Sequence, residues 1–423
     1  MKYGCIAARL THSFSRLIHE RIGDYDYELR EVAPDALDDF MRRRDFCAVN
    51  VTIPYKRAVL PYLAGMDEAA RAVGAVNTVV NRGGELYGYN TDVYGMEAQL
   101  SHMGLPLRGE NVMILGTGGT SATAAAVAER AGARQIVTVS RTPHAGVIGY
   151  AEARERVADA QVIINATPCG MFPDDADMPP VFSTGSRPVG VLDAVYHPLS
   201  SMLVLEARAR GAVAQGGLYM LVAQAVRASE IFFGEVAGTR EERIGDIFRE
   251  VLAERRNIVL TGMPGCGKST VGRLLAARTG REFYDTDRMV TDAAGTTIPD
   301  IFATAGEAAF RALEREAIEK ASRVTHAVIA TGGGAVLDGR NVTALRRNGW
   351  LYFLDCPPGA LPVLPDRPLA KCRAELEARY AERYATYTAT SDAVISMGDP
   401  SRVREAADEI ERSHRSGWSG RNE

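Results

Sequence analysis

The stretch IVLTGMPGCGKSTVGRLLAAR, residues 258–278, contains the strongest fold signal in this chain of 423 residues. An apolar run, a glycine-rich turn of the form G-x-x-x-x-G-K-S and a helix-like pattern follow one another there. Glycines in such a turn let backbone N–H groups surround phosphate oxygens at the start of a helix. The stretch therefore predicts a P-loop domain that binds a nucleoside triphosphate.

The motif assigns separate tasks to the side chains of this loop. Lys268 reaches the β- and γ-phosphates, and the hydroxyl of Ser269 can bind Mg²⁺. The residues expected to contact the nucleotide, ATP with Mg²⁺, are Gly262, Gly265, Gly267, Lys268, Ser269 and Thr270. About three-fifths of the chain precedes this loop, so a second activity is expected upstream.

The overall composition narrows the class of protein. The chain is 46% hydrophobic and 24% charged, which is typical of an ordinary soluble globular protein, and its formal net charge of −4 gives no reason to expect a nucleic-acid partner. Its six cysteines are scattered without metal-ligand spacing, so neither disulfides nor a zinc site are expected. No targeting segment or membrane span is recognisable, and the sequence predicts a cytoplasmic location.

Five short stretches after the loop carry groups suited to a small anionic acceptor. They are FYDTD (283–287), GEAAFRALE (306–314), VIATGGGAV (328–336), DRPLA (366–370) and ERYATY (382–387). In an extended backbone, Asp285 and Asp287 would point the same way. The three glycines would let a ligand approach backbone amides. Each stretch alone is weak evidence, because exposed arginines and glycine turns are common.

Taken in order, these stretches resemble shikimate kinase over residues 255–423. The resemblance implies that Asp285 lies near Mg²⁺, that Arg367 comes from a lid onto the transferring phosphate, and that Lys268 and Asp287 are catalytic. It also implies a shikimate site formed by Asp287, Arg311, Gly332, Gly333, Gly334 and Arg383. Arg383 is preferred to Arg379 because of its spacing to Tyr387.

Upstream, NVMILGTGGTSATAAAVAERAG (111–132) and RQIVTVSRT (134–142) form a strand, glycine turn, helix and second strand, which predicts a dinucleotide-binding βαβ unit. Gly116, Gly118 and Gly119 occupy the turn. An NAD site would usually place a carboxylate after the second strand, but Ser140, Arg141 and Thr142 stand there instead. Because Arg141 can pair with a 2′-phosphate, NADP(H) is the expected cofactor.

Four earlier stretches are rich in hydroxyl and amide side chains, as a polyhydroxylated ligand requires: THSFSRLIH (11–19), NVTIPYK (50–56), GAVNTVV (74–80) and GYNTDVYG (88–95). Lys56 and Asp92 within them suggest proton transfer and orientation. The alternative for any one stretch is local hydrogen bonding in a loop or helix cap.

These stretches, with GGLYMLVAQA (216–225), resemble shikimate dehydrogenase over residues 3–235. The resemblance implies a catalytic pair of Lys56 and Asp92. The implied substrate-binding residues are Ser13, Ser15, Thr52, Asn77, Asp92, Gln224 and Tyr196. Tyr196 is equally well explained as a packing residue.

The sequence as a whole predicts an α/β chain. Residues 1–103 would form a substrate-binding lobe completed by about 215–250, residues 104–214 a Rossmann lobe for NADP, and residues 255–423 a P-loop kinase with a parallel sheet. Small molecules (3-dehydroshikimate, shikimate, NADPH and ATP) are the expected partners. A quinate-active dehydrogenase fused to the kinase and a catalytically silent regulatory protein remain alternatives, and the oligomeric state is left open.

Overall fold

The computed structural model describes residues 1–10, 14–157, 160–234, 239–362 and 372–416. The chain divides into two compact units, the first from Met1 to Val251 and the second from Leu252 onward. The sequence predicted the join near residue 254. All six cysteines are free. Within the described ranges, no helix has both the length and the apolar character that a bilayer span requires.

The first unit begins with a six-stranded mixed sheet. Its strands are β1 (Tyr3–Ala7), β2 (Tyr27–Glu31), β3 (Ala48–Val51), β4 (Gly65–Met66), β5 (Thr78–Arg82) and β6 (Glu85–Tyr89). Their order is β2-β1-β3-β5-β6-β4, with β5 antiparallel to both neighbours. The accompanying helices are α1 (Ser15–Ile22), α2 (Leu37–Arg43), α3 (Glu68–Val73) and α4 (Thr91–His102). Buried aliphatic side chains such as Ile6 and Val79 form the core of this lobe.

A second sheet of six parallel strands follows. Its strands are β7 (Asn111–Leu115), β8 (Gln135–Val139), β9 (Val147–Ile148), β10 (Val162–Asn165), β11 (Gly190–Asp193) and β12 (Val213–Gln215). Their order is β12-β11-β10-β7-β8-β9, so the chain winds outward in both directions from β7. The helices are α5 (Gly119–Ala131), α6 (Tyr150–Arg156) and α7 (Met202–Ala209). Apolar clusters cover the sheet because parallel strands are buried on both faces.

Two further helices complete the first unit, α8 (Leu218–Phe233) and α9 (Arg240–Arg255), the second of which contains the division between the units. Although α8 follows the second sheet in sequence, it packs against α4. A Cβ on Gly95 of α4 would lie 2.7 Å from the carbonyl oxygen of Met220, so only glycine permits this approach. The contact brings Gln224 of α8 to the beginning of α4.

The second unit contains a five-stranded parallel sheet. Its strands are β13 (Asn257–Thr261), β14 (Glu282–Asp285), β15 (Ala327–Ala330), β16 (Gly349–Asp355) and β17 (Ala393–Ser396), in the order β14-β15-β13-β16-β17. Its helices are α10 (Lys268–Thr279), α11 (Thr286–Ala294), α12 (Ile298–Ser322), α13 (Gly339–Asn348), α14 (Arg373–Thr390) and α15 (Val403–Ser416). Gly306, with φ 80°, kinks α12 and so starts the helical turn that carries Arg311.

Candidate active sites

A lysine and an aspartate meet at the carboxyl edge of the first sheet. Lys56 lies in the loop after β3, and its Nζ donates to Oδ2 of Asp92 at 2.5 Å. The two side chains are only 20% and 12% exposed. Asp92 lies in the first turn of α4, where the positive end of the helix dipole stabilises its carboxylate. The pair is therefore a charged, largely desolvated centre.

Asn77 fixes the orientation of this aspartate. Its Nδ2 donates to Oδ1 of Asp92 and to Oγ1 of Thr91, both at 2.9 Å, while its Oδ1 accepts from the backbone N–H of Thr91 at 2.8 Å. Gln224 reaches the same amide with Oε1 at 3.5 Å. Lys56, Asn77, Asp92 and Gln224, expected from the sequence to act together, are thus linked by hydrogen bonds.

Behind Asn77 lies a buried polar chain that the sequence analysis did not single out. Tyr27 donates to Asn50 at 2.7 Å, Asn50 donates to Thr78 at 3.0 Å, and Thr78 donates to Asn77 at 3.2 Å. Asn50 opens the NVTIPYK stretch and Thr78 follows Asn77 directly. The available sequence signal was that both residues lie close to predicted site residues. Only the pairing of the strands shows that they support Asn77.

The remaining predicted substrate residues of this unit lie in separate elements. Ser15 begins α1, and Thr52 directly follows β3. Tyr196 follows β11, and its ring lies 5.4 Å from that of Phe14, measured between centroids. Burial raises the pKa of Tyr196 to about 12, so its hydroxyl remains protonated at neutral pH. Ser13 lies outside the described residues.

The glycine turn after β7 leaves space above the beginning of α5. Gly116 has φ 113°, a conformation that favours glycine. A Cβ on Gly118 or on Gly119 would meet no described atom within 4 Å, so a ligand can approach the backbone there. Ser121, which replaces a third motif glycine, donates to the carbonyl of Gly116 at 2.6 Å and closes the turn. This cradle fits the pyrophosphate of a dinucleotide.

The end of β8 lies directly beside that turn, because the N–H of Gly116 donates to the carbonyl of Val139 at 2.8 Å. Arg141 is exposed there and forms no ion pair with a described residue. The N–H of Thr142 donates to the Ser140 hydroxyl at 3.2 Å, which gives this segment a fixed bend. An unpaired cation at this place suits a 2′-phosphate.

In the second unit the P-loop connects β13 to α10. Gly262, Gly265 and Gly267 have φ values of 137°, 84° and 92°, which side-chain-bearing residues rarely adopt. Lys268 Nζ donates to the carbonyls of Gly262 at 3.0 Å and Met263 at 2.9 Å. The ammonium thus lies over the turn whose backbone amides would receive phosphate, while Thr270 is exposed in the first turn of α10.

Beside the loop, two oxygen donors suitable for Mg²⁺ are in contact. Ser269 Oγ donates to Oδ2 of Asp285 at 2.6 Å. A hydroxyl and a carboxylate are oxygen donors of the type that Mg²⁺ prefers, and Mg²⁺ usually completes its shell with phosphates and water. No cluster of three or more acidic, histidine or cysteine side chains with metal-binding geometry occurs in the described part of the chain.

The expected extended backbone from Asp285 to Asp287 is wrong. The strand β14 ends at Asp285, whose Oδ1 accepts from the N–H groups of Asp287 at 3.2 Å and Arg288 at 3.3 Å. This is an N-cap, which starts a helix at the next residue. Asp287 therefore projects from the first turn of α11.

Asp287 faces a cavity of about 70 Å³. The charged side chains that line it are Asp287, Arg311, Glu314, Arg379 and Arg383. The glycine triplet lines it too. A Cβ on Gly332 would lie 2.6 Å from Asp287 Oδ1, one on Gly333 2.7 Å from Pro264 Cδ, and one on Gly334 2.5 Å from Arg311 Nη1. The glycines thus make room for neighbouring side chains, whereas the sequence analysis expected open access to amides.

Arg311 and Arg383, two of the arginines that line the cavity, are held by different kinds of hydrogen-bond acceptor. Arg311 donates to Glu314 at 2.8 Å and to Glu307 at 3.0 Å, so its charge is balanced within the protein. Burial raises the pKa of Glu314, while the guanidinium of Arg311 acts in the opposite direction. Arg383 is buried and donates to the carbonyl of Gly333 at 3.1 Å, an oxygen that also accepts from Tyr387.

Two further residues of the kinase sequence, Arg367 and Glu314, differ in what the structure shows of them. Arg367, expected to act from the lid, lies outside the described residues. Glu314 was quoted within the GEAAFRALE stretch but not assigned a role, because a helix-forming glutamate gives no sequence signal of its burial.

Comparison with known proteins identifies both units. Residues 5–79 match the family model of the shikimate dehydrogenase substrate binding domain, and residues 264–414 match that of shikimate kinase. A shikimate dehydrogenase (NADP(+)) of Symbiobacterium thermophilum is 37% identical over 241 residues, which cover 51% of this chain and 80% of that relative. One of Geobacillus kaustophilus is 36% identical over 256 residues, which cover 55% and 92%. The chain belongs to the shikimate dehydrogenase family.

Solved structures agree with this assignment for the first unit. A chorismate mutase/shikimate 5-dehydrogenase fusion protein from Clostridium acetobutylicum has a TM-score of 0.54 and 32% identity, covering 59% of this chain and 96% of that one. A shikimate 5-dehydrogenase from Thermus thermophilus, solved with NADP(H) and shikimate, has a TM-score of 0.52 and 28% identity, covering 59% and 99%.

These matches confirm several predictions made from the sequence. The fold is a two-lobed dehydrogenase followed by a P-loop kinase domain. The chain is a bifunctional enzyme that combines a shikimate dehydrogenase with a shikimate kinase. NADP(H) for the dehydrogenase and ATP with Mg²⁺ for the kinase are likewise confirmed as cofactors.

Proposed function

We propose that this shikimate dehydrogenase–kinase reduces 3-dehydroshikimate to shikimate with NADPH and then phosphorylates the new 3-hydroxyl with ATP. One observation carries the proposal: a single chain contains both the bonded Lys56–Asp92 pair and a P-loop beside a charged cavity. The same substrate oxygen would thus be handled twice, first as a carbonyl and then as a nucleophile.

In the reduction, bound NADPH supplies the hydride. Lys56, which Asp92 holds at 2.5 Å, gives a proton to the carbonyl oxygen as negative charge develops on it. Ser13, Ser15, Thr52, Asn77, Gln224 and Tyr196 are the proposed substrate ligands. Asn77 supports this role because its amide already holds the Asp92 carboxylate at 2.9 Å.

For the dinucleotide, we assign the pyrophosphate to the amides of the turn at Gly116, Gly118 and Gly119. The open space above Gly118 and Gly119 supports this assignment. Ser140, Arg141 and Thr142 are assigned to the 2′-phosphate, since Arg141 has no carboxylate partner among the described residues and a phosphate is a strong acceptor for guanidinium groups.

In the phosphorylation, bound MgATP supplies the phosphoryl group. Asp287 would accept the proton of the attacking hydroxyl, Lys268 would bind phosphate oxygens in place of the loop carbonyls, and Ser269 and Asp285 would hold the metal. Arg311, Arg383 and the Gly332–Gly334 turn are assigned to shikimate, and Arg367 is assigned to the transferring phosphoryl group. The cavity shared by Asp287, Arg311 and Arg383 supports this arrangement.

We further assign residues 1–103, with about 215–250, to the substrate lobe, residues 104–214 to the NADP lobe and residues 255–423 to the kinase. The packing of α8 against α4 supports the first assignment. Six unpaired cysteines favour a reducing compartment, in agreement with a cytoplasmic location.

An assay of the purified chain with separate additions tests the proposed reactions. 3-Dehydroshikimate with NADPH should give NADPH oxidation, and later addition of MgATP should give ADP in proportion to the shikimate formed. In parallel, the reverse reaction, reduction of NADP⁺, is measured with shikimate and with quinate. Faster reduction of NADP⁺ with quinate than with shikimate would overturn the proposed substrate of the first unit.

A further inference from the structure

Tyr27 lies at the far end of the buried polar chain that leads through Asn50, Thr78 and Asn77 to Asp92. The four residues before the aspartate are each no more than 7% exposed. Bulk water therefore cannot easily replace a lost partner in this chain, and the orientation of each polar group depends on the next one.

Each hydrogen bond in the chain has one permitted direction. The backbone N–H of Thr91 donates to Asn77 Oδ1 at 2.8 Å, so the other side of that amide, Nδ2, faces the carboxylate of the lysine–aspartate pair. The single proton of the Thr78 hydroxyl goes to Asn77 Oδ1, and Thr78 accepts from Asn50 Nδ2. The oxygen of the Asn50 amide therefore faces Tyr27, which must donate to it.

The hydroxyl of Tyr27 is suited to be this last donor. Burial raises the pKa of Tyr27 well above its usual value of 10, so the hydroxyl keeps its proton at neutral pH. The ring of His19 stacks on that of Tyr27, with centroids 3.7 Å apart and planes 7° apart. Burial lowers the pKa of His19 to about 3, so the stacked ring is neutral. The stack fixes the ring plane of Tyr27 and with it the direction of the hydroxyl toward Asn50.

We propose that Tyr27 is a positioning residue of the reduction, because its hydroxyl fixes the buried polar chain that holds Asp92. The proposal rests on the proposed function, in which Asp92 orients Lys56 as the proton donor. Tyr27 acts only through this chain, so its effect should appear in the step that moves the proton.

Loss of the hydroxyl would leave Asn50 Oδ1 buried without its donor. If the Asn50 amide then turned over, its oxygen would face Thr78 and would compete with Asn77 for the Thr78 proton. The amide of Asn77 would be held by fewer donors, and the carboxylate that it binds would be oriented less firmly. Proton transfer to the substrate should therefore slow.

Steady-state kinetics of Tyr27→Phe in the full chain tests this role. The phenyl ring keeps the stack on His19, so the substitution removes the hydroxyl alone. The kcat for reduction of 3-dehydroshikimate should fall about tenfold, and the solvent deuterium isotope effect on kcat should rise because proton transfer limits the rate more strongly. The KM for NADPH should stay within about twofold of the wild type.

Tyr55→Phe is the matched control. Tyr55 is 3% exposed in the same lobe, and its hydroxyl donates to the carbonyl of Val32 at 2.5 Å, outside the polar chain. This variant also loses a buried tyrosine hydrogen bond, so its melting temperature should fall as that of Tyr27→Phe does. Its kcat and isotope effect should equal those of the wild type. Equal falls in kcat for both variants would overturn the proposal.

A double variant tests whether Tyr27 acts through Thr78. Thr78→Val keeps the branched shape of the side chain and removes the intermediate hydroxyl. It should lower kcat at least as much as Tyr27→Phe, and adding Tyr27→Phe to it should change kcat by less than about twofold, because residues of one network are not additive. Effects that multiply, or an unchanged kcat in Tyr27→Phe, would overturn the proposal and leave the proposed function standing. A wild-type chain that does not oxidise NADPH with 3-dehydroshikimate would overturn both.

Discussion

Lys56 Nζ and Asp92 Oδ2 lie 2.5 Å apart although the residues are 36 positions apart in sequence. The lysine comes from a loop after β3, and the aspartate comes from the first turn of α4, where Asn90 caps the helix by accepting from the N–H of Asp92 at 3.1 Å. The backbone of Asp92 is thus held in place by the capped start of α4. The long side chain of Lys56 is held in turn by this carboxylate.

Removing the lysine should therefore stop one reaction only. Lys56→Ala is expected to lower the rate of 3-dehydroshikimate reduction by about a hundredfold or more, the usual contribution of a positioned proton donor. Phosphorylation of added shikimate should stay within about twofold of the wild type. NADPH absorbance and ADP release, measured on one preparation, report the two rates.

Arg57→Ala is the control for this variant. Arg57 is the exposed neighbour of Lys56, so its loss changes the net charge equally. Both activities should persist in this control. Loss of both activities in a folded Lys56→Ala chain would contradict the assignment of the lysine to a separate reduction site.

Arg141 should determine cofactor preference. Arg141→Asp places a carboxylate where the 2′-phosphate is expected, so the KM for NADPH should rise about a hundredfold through lost pairing and added repulsion. The KM for NADH should rise little or fall. Initial rates measured with NADPH and with NADH give the ratio of the kcat/KM values for the two cofactors. A ratio equal to that of the wild type would show that the 2′-phosphate binds elsewhere.

Removal of Mg²⁺ should affect the kinase alone. An excess of EDTA is expected to abolish ADP release and to leave NADPH oxidation unchanged, because Ser269 and Asp285 are the assigned protein ligands and belong to the kinase unit. Ser269→Ala should raise the Mg²⁺ concentration needed for half-maximal phosphorylation. A shared loss of both activities with EDTA would reveal a metal requirement in the dehydrogenase.

Asp193 should make the stability of the first unit depend on pH. Burial raises the pKa of this carboxyl from 3.8 to about 6, against hydrogen bonds from Ser201, the N–H of Val195 and Asn165. Between these pH values the folded chain keeps a proton that the unfolded chain loses, so the free energy of unfolding falls as pH rises.

Comparison with Asp193→Asn isolates this effect. The variant has no carboxyl at position 193 to titrate. The melting temperature of the variant minus that of the wild type should therefore be higher at pH 7.5 than at pH 5. Circular dichroism melts of both chains at the two pH values measure the difference. A difference that is constant or shrinks with pH would mean that Asp193 does not bind its proton more tightly in the folded state.

Local patterns predicted the elements that the glycine motifs define. The P-loop between β13 and α10 and the turn between β7 and α5 could be anticipated, because their glycines require φ values that few other residues adopt. The Lys56–Asp92 pair could be proposed from chemistry and family resemblance. The distance between the two side chains could not, since it depends on how β3 and α4 are arranged.

Interactions that depend on tertiary packing were harder to predict from the sequence. The helix start after Asp285 was missed because the same carboxylate can end a strand or cap a helix, and only the neighbouring N–H groups distinguish these cases. Glu314 and Arg379 carry no local signal for facing a cavity. Their position beside the cavity depends on the kink at Gly306 and on the face that α14 presents.

The most direct measurement follows a labelled hydrogen through both reactions. NADPH carrying deuterium at the transferable position, 3-dehydroshikimate and MgATP are incubated with the purified chain, and products are analysed by mass spectrometry. The account predicts a product that carries one deuterium and one phosphoryl group on the same molecule. Deuterated shikimate that stays unphosphorylated, or no deuterium in any product, would contradict the claim that the first unit makes the substrate of the second.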